Sequence, residues 1–146
     1  MKTNGGFLMT QIKQVGGRIF ERLLIRSGIE EFNGAQGRIL YVLWQEDGLP
    51  IVELSRRTGL AKTTLTSMLD RLEKGDFVRR EYDHTDRRQI RIGLTDRARS
   101  LQDKYNEVSD EMSEIFYRGF SDDEIRDFEG KLNRILQNLY NTGETI

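Results

Sequence analysis

The sequence predicts a mainly helical chain interrupted by one short β-hairpin. Apolar residues recur every three or four positions over most of its 146 residues, and from residue 77 the period changes to two. Glycine, asparagine and the chain's one proline fall where the periodic stretches meet.

The first helix is marked by Leu8, Ile12, Val15, Ile19 and Leu23, and Ser27-Gly28 ends it. A second begins after Asn33, which can cap it with Gln36 three residues on, and buries Ile39, Leu40, Leu43 and Trp44. Asp47-Gly48-Leu49-Pro50 stops that helix, and Pro50 stands where a short helix, residues 51–58, begins. No internal repeat or low-complexity segment is evident.

In "LSRRTGLAKTTLTSMLDRLEKGDFVRRE", residues 54–81, Gly59 falls where the chain must turn through a left-handed backbone, and Ser55 is small enough for two helices to cross closely. Beyond the turn, Leu65, Met68, Leu69 and Leu72 form one apolar stripe. At 100° per residue the opposite face carries Thr63, Ser67, Asp70 and Lys74, flanked by Thr64, Thr66 and Arg71, with Lys62 at its start. Threonine is a mediocre helix former, so this crowding needs a reason. Ala61 cannot cap, and capping is expected to use one hydroxyl near Thr63-Thr64, not all four. Short hydroxyls and an arginine on an exposed helix face suit the major groove of DNA, held at a fixed angle by the preceding helix and turn.

The segment "FVRREYDHTDRRQIRIGLT" then alternates: Phe77, Arg79 and Glu81 against Val78, Arg80 and Tyr82, and later Ile90, Ile92 and Leu94 against Arg91 and Gly93. Two strands joined by Asp83 to Arg88 make a hairpin whose loop carries Arg87 and Arg88. Such a wing can place an arginine in the narrow, electronegative minor groove. Asp86 is expected to shape the loop by pairing with an arginine. The architecture is therefore a winged helix-turn-helix, a three-helix core plus a two-stranded wing, with long N- and C-terminal helices outside it.

Those outer helices are amphipathic. Thr95 or Asp96 can cap one long helix bearing Leu101, Tyr105, Val108, Met112 and Ile115, and Ser121-Asp122-Asp123-Glu124 is a capping box for the last. The last helix carries Ile125, Phe128, Leu132, Ile135, Leu136 and Leu139 on one stripe. Packing between two copies of the chain is the economical use for these faces.

Charge is uneven along the chain. Residues 54–99 hold twelve Lys/Arg against seven Asp/Glu, whereas residues 100–146 hold five against eleven. A basic middle suits a polyanion. Catalysis has little to work with: there is no cysteine, and the one histidine, His84, sits in the hairpin loop without a second ligand nearby. Neither a metal nor a cofactor is expected. The opening MKTNGGFLMT is not a secretory signal and no apolar run reaches ~18 residues, so the expectation is a soluble, cytoplasmic protein without a membrane partner.

Nearly the whole chain resembles the MarR family of winged helix-turn-helix transcription regulators. The resemblance is carried by "LAKTTLTSMLDRLEKGDFVRR" and "DHTDRRQIRIGLT", the latter with the family's wing motif at Asp86, Arg88, Leu94 and Thr95, and by "FNGAQGRILYVL" and "SDDEIRDFEGKL". It implies a homodimer on palindromic, double-stranded DNA, commonly a repressor released by a small molecule or by oxidation. Ala61, Ser67 and His84 depart from residues frequent in the family. It also implies an effector pocket between the dimer helices and the winged region, for which Phe20, Tyr41 and Trp44 are the candidates. Because the chain has no thiol, a small aromatic or amphipathic effector is favoured over oxidation. The expected organisation is one domain, 1–146, with 7–28 and 96–140 for dimerisation and 33–95 for DNA. The alternative is a winged-helix module that recruits protein and reads no DNA sequence.

Overall fold

The computed structural model describes residues 1–143. In chain order its elements are α1 (Gly5–Arg26), α2 (Gly34–Gln45), β1 (Leu49–Pro50), α3 (Ile51–Thr58), α4 (Lys62–Lys74), β2 (Val78–Tyr82), β3 (Ile90–Leu94), α5 (Asp96–Ser100), α6 (Gln102–Phe116) and α7 (Asp122–Gly143). Residues 1–110 form one compact unit and those from 111 onward a second. Residues 144–146, the end of the 1–146 span, lie outside the described residues. No described helix is long and apolar enough to cross a membrane.

Helix ends follow local chemistry. At α2 the Gln36 amide donates to Asn33 Oδ1 at 2.8 Å while the Asn33 amide donates to Gln36 Oε1 at 3.1 Å. The Gly34 amide, also at that end, donates to Glu21 Oε1 of α1 at 2.6 Å, tying the two helices. α1 ends at Ser27, and Gly28 continues with φ of 82°.

Fully buried Ile39, Leu40 and Leu43 of α2, Leu54 of α3, Leu65, Leu69 and Leu72 of α4, and Val78 and Ile92 of the sheet form the core of the first unit. Each such side chain contributes ~1.5–3 kcal/mol of burial. Met68, on the same α4 stripe, is only half-buried.

Two elements differ from the sequence expectation. The sheet has three strands in the order β1-β3-β2, all antiparallel, because Leu49 pairs with Ile92 and Pro50 with Arg91. A two-residue strand shows no alternation, and proline is tolerated at an edge. The long helix after Thr95 is broken at Leu101, whose amide donates to Ala98 O at 3.2 Å, a tighter step that leaves the apolar spacing intact. Thr95 is the cap: its Oγ1 accepts from the Ala98 amide at 3.2 Å and donates to Asp76 O at 2.6 Å.

Tyr105 is the hub of an aromatic cluster, its ring centroid 5.7 Å from Phe20, 6.1 Å from Phe32, 6.3 Å from Tyr41 and 5.1 Å from Trp44. Burial pushes its phenol up to about 12. The fold thus favours the neutral form, so this contribution is complete below the ordinary pKa near ~10 and is lost as pH rises through about 12, a loss of ~2 kcal/mol. Melting temperatures from pH 9 to 12 should fall less steeply in Tyr105→Phe than in the wild type. Parallel curves would contradict this.

In the second unit, Ser121 and Glu124 form the expected capping box, with the Glu124 amide donating to Ser121 Oγ at 3.2 Å and the Ser121 amide to Glu124 Oε1 at 3.0 Å. No residue of α7 is buried, and Ile135, Leu136, Leu139 and Tyr140 are exposed.

Candidate nucleic-acid interface

The turn between α3 and α4 is stitched by side chains. Gly59 takes φ of 72° and its amide donates to Ser55 O at 2.9 Å. Ser55 does more than allow close crossing: its Oγ donates to Leu60 O at 2.7 Å. Thr58 Oγ1 donates to Leu54 O at 2.7 Å. These bonds fix how α4 leaves α3.

Along α4, Lys62, Thr63, Thr64, Thr66, Ser67, Arg71 and Lys74 are all exposed, opposite buried Leu65, Leu69 and Leu72. The expectation that one hydroxyl caps the helix is corrected. Ala61 is the N-cap and no side chain caps the end. Thr66 Oγ1 instead donates back to Lys62 O at 2.8 Å. Among the described residues, the hydroxyls of Thr63, Thr64 and Ser67 form no hydrogen bond, and Lys62, Arg71, Lys74 and Arg87 form no ion pair. An exposed face of open hydroxyls and unpaired cations can donate to base edges and phosphates alike.

β2 and β3 pair from Val78 with Leu94 to Tyr82 with Ile90, and the loop between them is built on two carboxylates. Asp83 Oδ1 accepts from the Thr85 amide at 2.8 Å and its hydroxyl at 2.7 Å, while Oδ2 accepts from Arg91 Nε at 2.6 Å. Arg91 Nη1 goes on to Gly48 O at 2.9 Å. The Thr85 hydroxyl and Arg91 hold the Asp83 carboxyl well below the usual carboxylate range, so it keeps these bonds at neutral pH. Asp86 Oδ1 accepts from the Arg88 amide at 3.0 Å and Arg88 Nε at 3.1 Å. The Arg88 side chain is nonetheless 91% exposed. Loop shape is thus shared between Asp83 and Asp86. Asp83 was missed by sequence reasoning, although aspartate two residues before threonine at a strand end is a recognisable turn signal.

A second missed residue is Arg80. The β2 alternation puts it on the same face as buried Val78, opposite Ile92, where an arginine needs partners. Its Nη2 donates to Asp70 Oδ1 at 2.7 Å and its Nη1 to Glu73 Oε1 at 2.8 Å, both on α4. The effector candidates are brought together, but by core packing: Phe20, Tyr41 and Trp44 all rest on Tyr105, and Trp44 Nε1 donates to Ala98 O at 3.1 Å.

Residues 32–90, which span α2 through the wing loop, match the MarR family. Over 88 residues, 60% of the chain, it is 42% identical to the HTH-type transcriptional regulator TtmR of Methylorubrum extorquens, of whose length the match spans 44%. The MarR transcriptional regulator of Methanosarcina mazei superposes over 97% of this chain and 99% of its own with a TM-score of 0.82 at 23% identity. Over residues 32–90 the chain is similar to the MarR family. It has the winged helix-turn-helix fold of the Methanosarcina mazei structure, and its match spans less than half the length of TtmR. It is also similar to reduced AbfR bound to DNA, at 28% identity and a TM-score of 0.73 over 92% of this chain and 90% of that one.

Proposed function

We propose that this protein is a DNA-binding transcriptional repressor that acts as a homodimer on an inverted-repeat operator and is released by a small aromatic or amphipathic effector. The observation that carries the reading is the exposed face of α4, where three hydroxyls are open and Lys62, Arg71 and Lys74 form no ion pair among the described residues, beside a loop that presents Arg87 and Arg88. The match of residues 32–90 to the MarR family supports it, as does the similarity to AbfR, whose structure is a DNA complex. In this reading α4 enters the major groove and the wing reaches the minor groove, with Asp86 aiming Arg88.

Dimerisation is supported by the apolar faces that a single chain leaves in solvent. On α1, Phe7, Leu8, Met9, Ile12 and Val15 are exposed, and α7 leaves Ile135, Leu136 and Leu139 likewise. Faces of this kind are costly unless a second copy covers them. For the effector, the exposed edge of Tyr41 beside the Tyr105 cluster is the candidate contact.

Duplexes enriched by the wild-type protein from a random pool test the reading. An inverted repeat is expected, bound by a dimer in sedimentation. Enrichment of nothing beyond the affinity for an acidic polymer would favour the protein-recruiting alternative. On the selected duplex, Arg88→Ala should weaken binding by ~1–3 kcal/mol with an unchanged melting curve, and Arg87→Ala by less. Wild-type affinity in Arg88→Ala would sink the wing assignment.

A further inference from the structure

Asp70 is an anomaly on a surface meant for DNA. It lies on the same α4 face as Thr63, Ser67 and Lys74, and with Glu73 one step along it sets two carboxylates where phosphates would come. Its side chain is 58% exposed and that of Glu73 43%, so both would feel a polyanion. Neither is left bare. The Arg80 guanidinium, only 22% exposed, spans them: Nη2 to Asp70 Oδ1 at 2.7 Å, Nη1 to Glu73 Oε1 at 2.8 Å. The Arg80 amide also donates to Glu73 Oε2 at 3.2 Å, and Nη2 reaches Thr66 O at 3.4 Å. One strand residue therefore grips three successive turns of α4, and it does so from the inward face of β2.

We infer that Arg80 is a positioning residue for DNA binding that acts through Asp70 and Glu73: it neutralises two carboxylates on the α4 surface and locks the wing to that helix. The inference rests on the DNA-binding reading above. Without Arg80, the net charge of this patch falls by one in each subunit, and two carboxylates meet the phosphates unscreened. The planar fork of arginine is suited to this bridge, since its two Nη atoms engage separate acceptors at once. A purely structural arginine would stabilise the fold without altering how DNA affinity responds to salt. Charge masking must respond, because repulsion between exposed charges fades as the Debye length shortens.

The test titrates wild type, Arg80→Gln and the triple variant R80Q/D70N/E73Q against a duplex selected by the wild-type protein. At ~50 mM salt, R80Q should bind about tenfold more weakly, and the gap should narrow to about twofold at ~250 mM. Removing the carboxylates as well should bring affinity back to within about twofold of wild type, which lost packing alone would not do. Should R80Q unfold below the assay temperature, the triple variant decides, since it contains no unpaired carboxylate at these positions. Recovery in the triple variant supports the inference. Wild-type affinity in R80Q, a gap independent of salt, or a triple variant still tenfold weak overturns it. Failure of the wild type to enrich any duplex would show as a separate result, the failure of the DNA-binding reading itself.

Discussion

Inserting five base pairs between the half-sites of the operator is expected to abolish specific binding. A two-fold dimer presents its two α4 helices at a fixed separation, so the half-sites must lie about one helical turn, ~10 bp, apart centre to centre. Half a turn more places the second half-site on the opposite side of the duplex, where no modest bend restores it. Specific affinity should collapse to the non-specific level, commonly ~10³-fold or more below it. Binding driven by phosphates alone survives. With Lys62, Arg71, Lys74, Arg87 and Arg88 near the backbone and Arg88 partly engaged by Asp86, ~6–8 phosphates are neutralised per dimer, for a log K against log salt slope near ~−5 to −7. Thr63 or Ser67 substitutions should change base preference more than that slope. Titration of the original and expanded duplexes at several salt concentrations checks both parts. Tolerance of the insertion, or a monomer at micromolar concentration, would remove the two-fold model.

What could be read in the sequence was what local chemistry decides. Asn33 with Gln36, Ser121 with Glu124 and Gly59 act within four residues, so their roles are visible in one dimension. The α4 face is equally legible, because helical spacing alone sorts Leu65, Leu69 and Leu72 from Thr63 and Ser67. Contacts made through the fold are different. Arg80 meets Asp70 and Glu73 only because β2 folds back on α4, and Tyr105 gathers rings from α1 and α2 far along the chain. The wing shows an intermediate case: a carboxylate clamp was expected at Asp86, but Asp83 holds more of the loop because its side chain faces Thr85 and Arg91 together. The break at Leu101 preserved the apolar spacing and so left no trace in it.

Gly37→Val is expected to be strongly destabilising, and the reason is the Tyr105 cluster. Gly37 is buried within the helix, and a Cβ built there would lie 2.7 Å from Tyr105 Cε2 and 3.1 Å from Phe32 Cε2. Neither ring has room to turn away: Tyr105 is held by Phe20, Tyr41 and Trp44, and Phe32 packs edge-on against Phe77 at 5.5 Å. Two effects oppose each other in Gly37→Ala, a helix-propensity gain of ~1 kcal/mol against an overpacking cost of ~1–3 kcal/mol. Overpacking should win modestly. Valine has less propensity to offer and adds two branched methyls to the same gap, so its loss should exceed ~3 kcal/mol, a large part of a domain's stability. Gly17→Ala is the matched control: it is exposed on α1, off the Leu8-Ile12-Val15 stripe, and an added Cβ meets nothing within 4 Å. There the propensity term acts alone, and melting should stay level or rise by a few degrees. Thermal unfolding of the three variants should therefore rank Gly17→Ala at or above wild type, Gly37→Ala below it and Gly37→Val lowest, while a Gly37→Ala protein as stable as Gly17→Ala would mean that the aromatic cluster can repack around a methyl group.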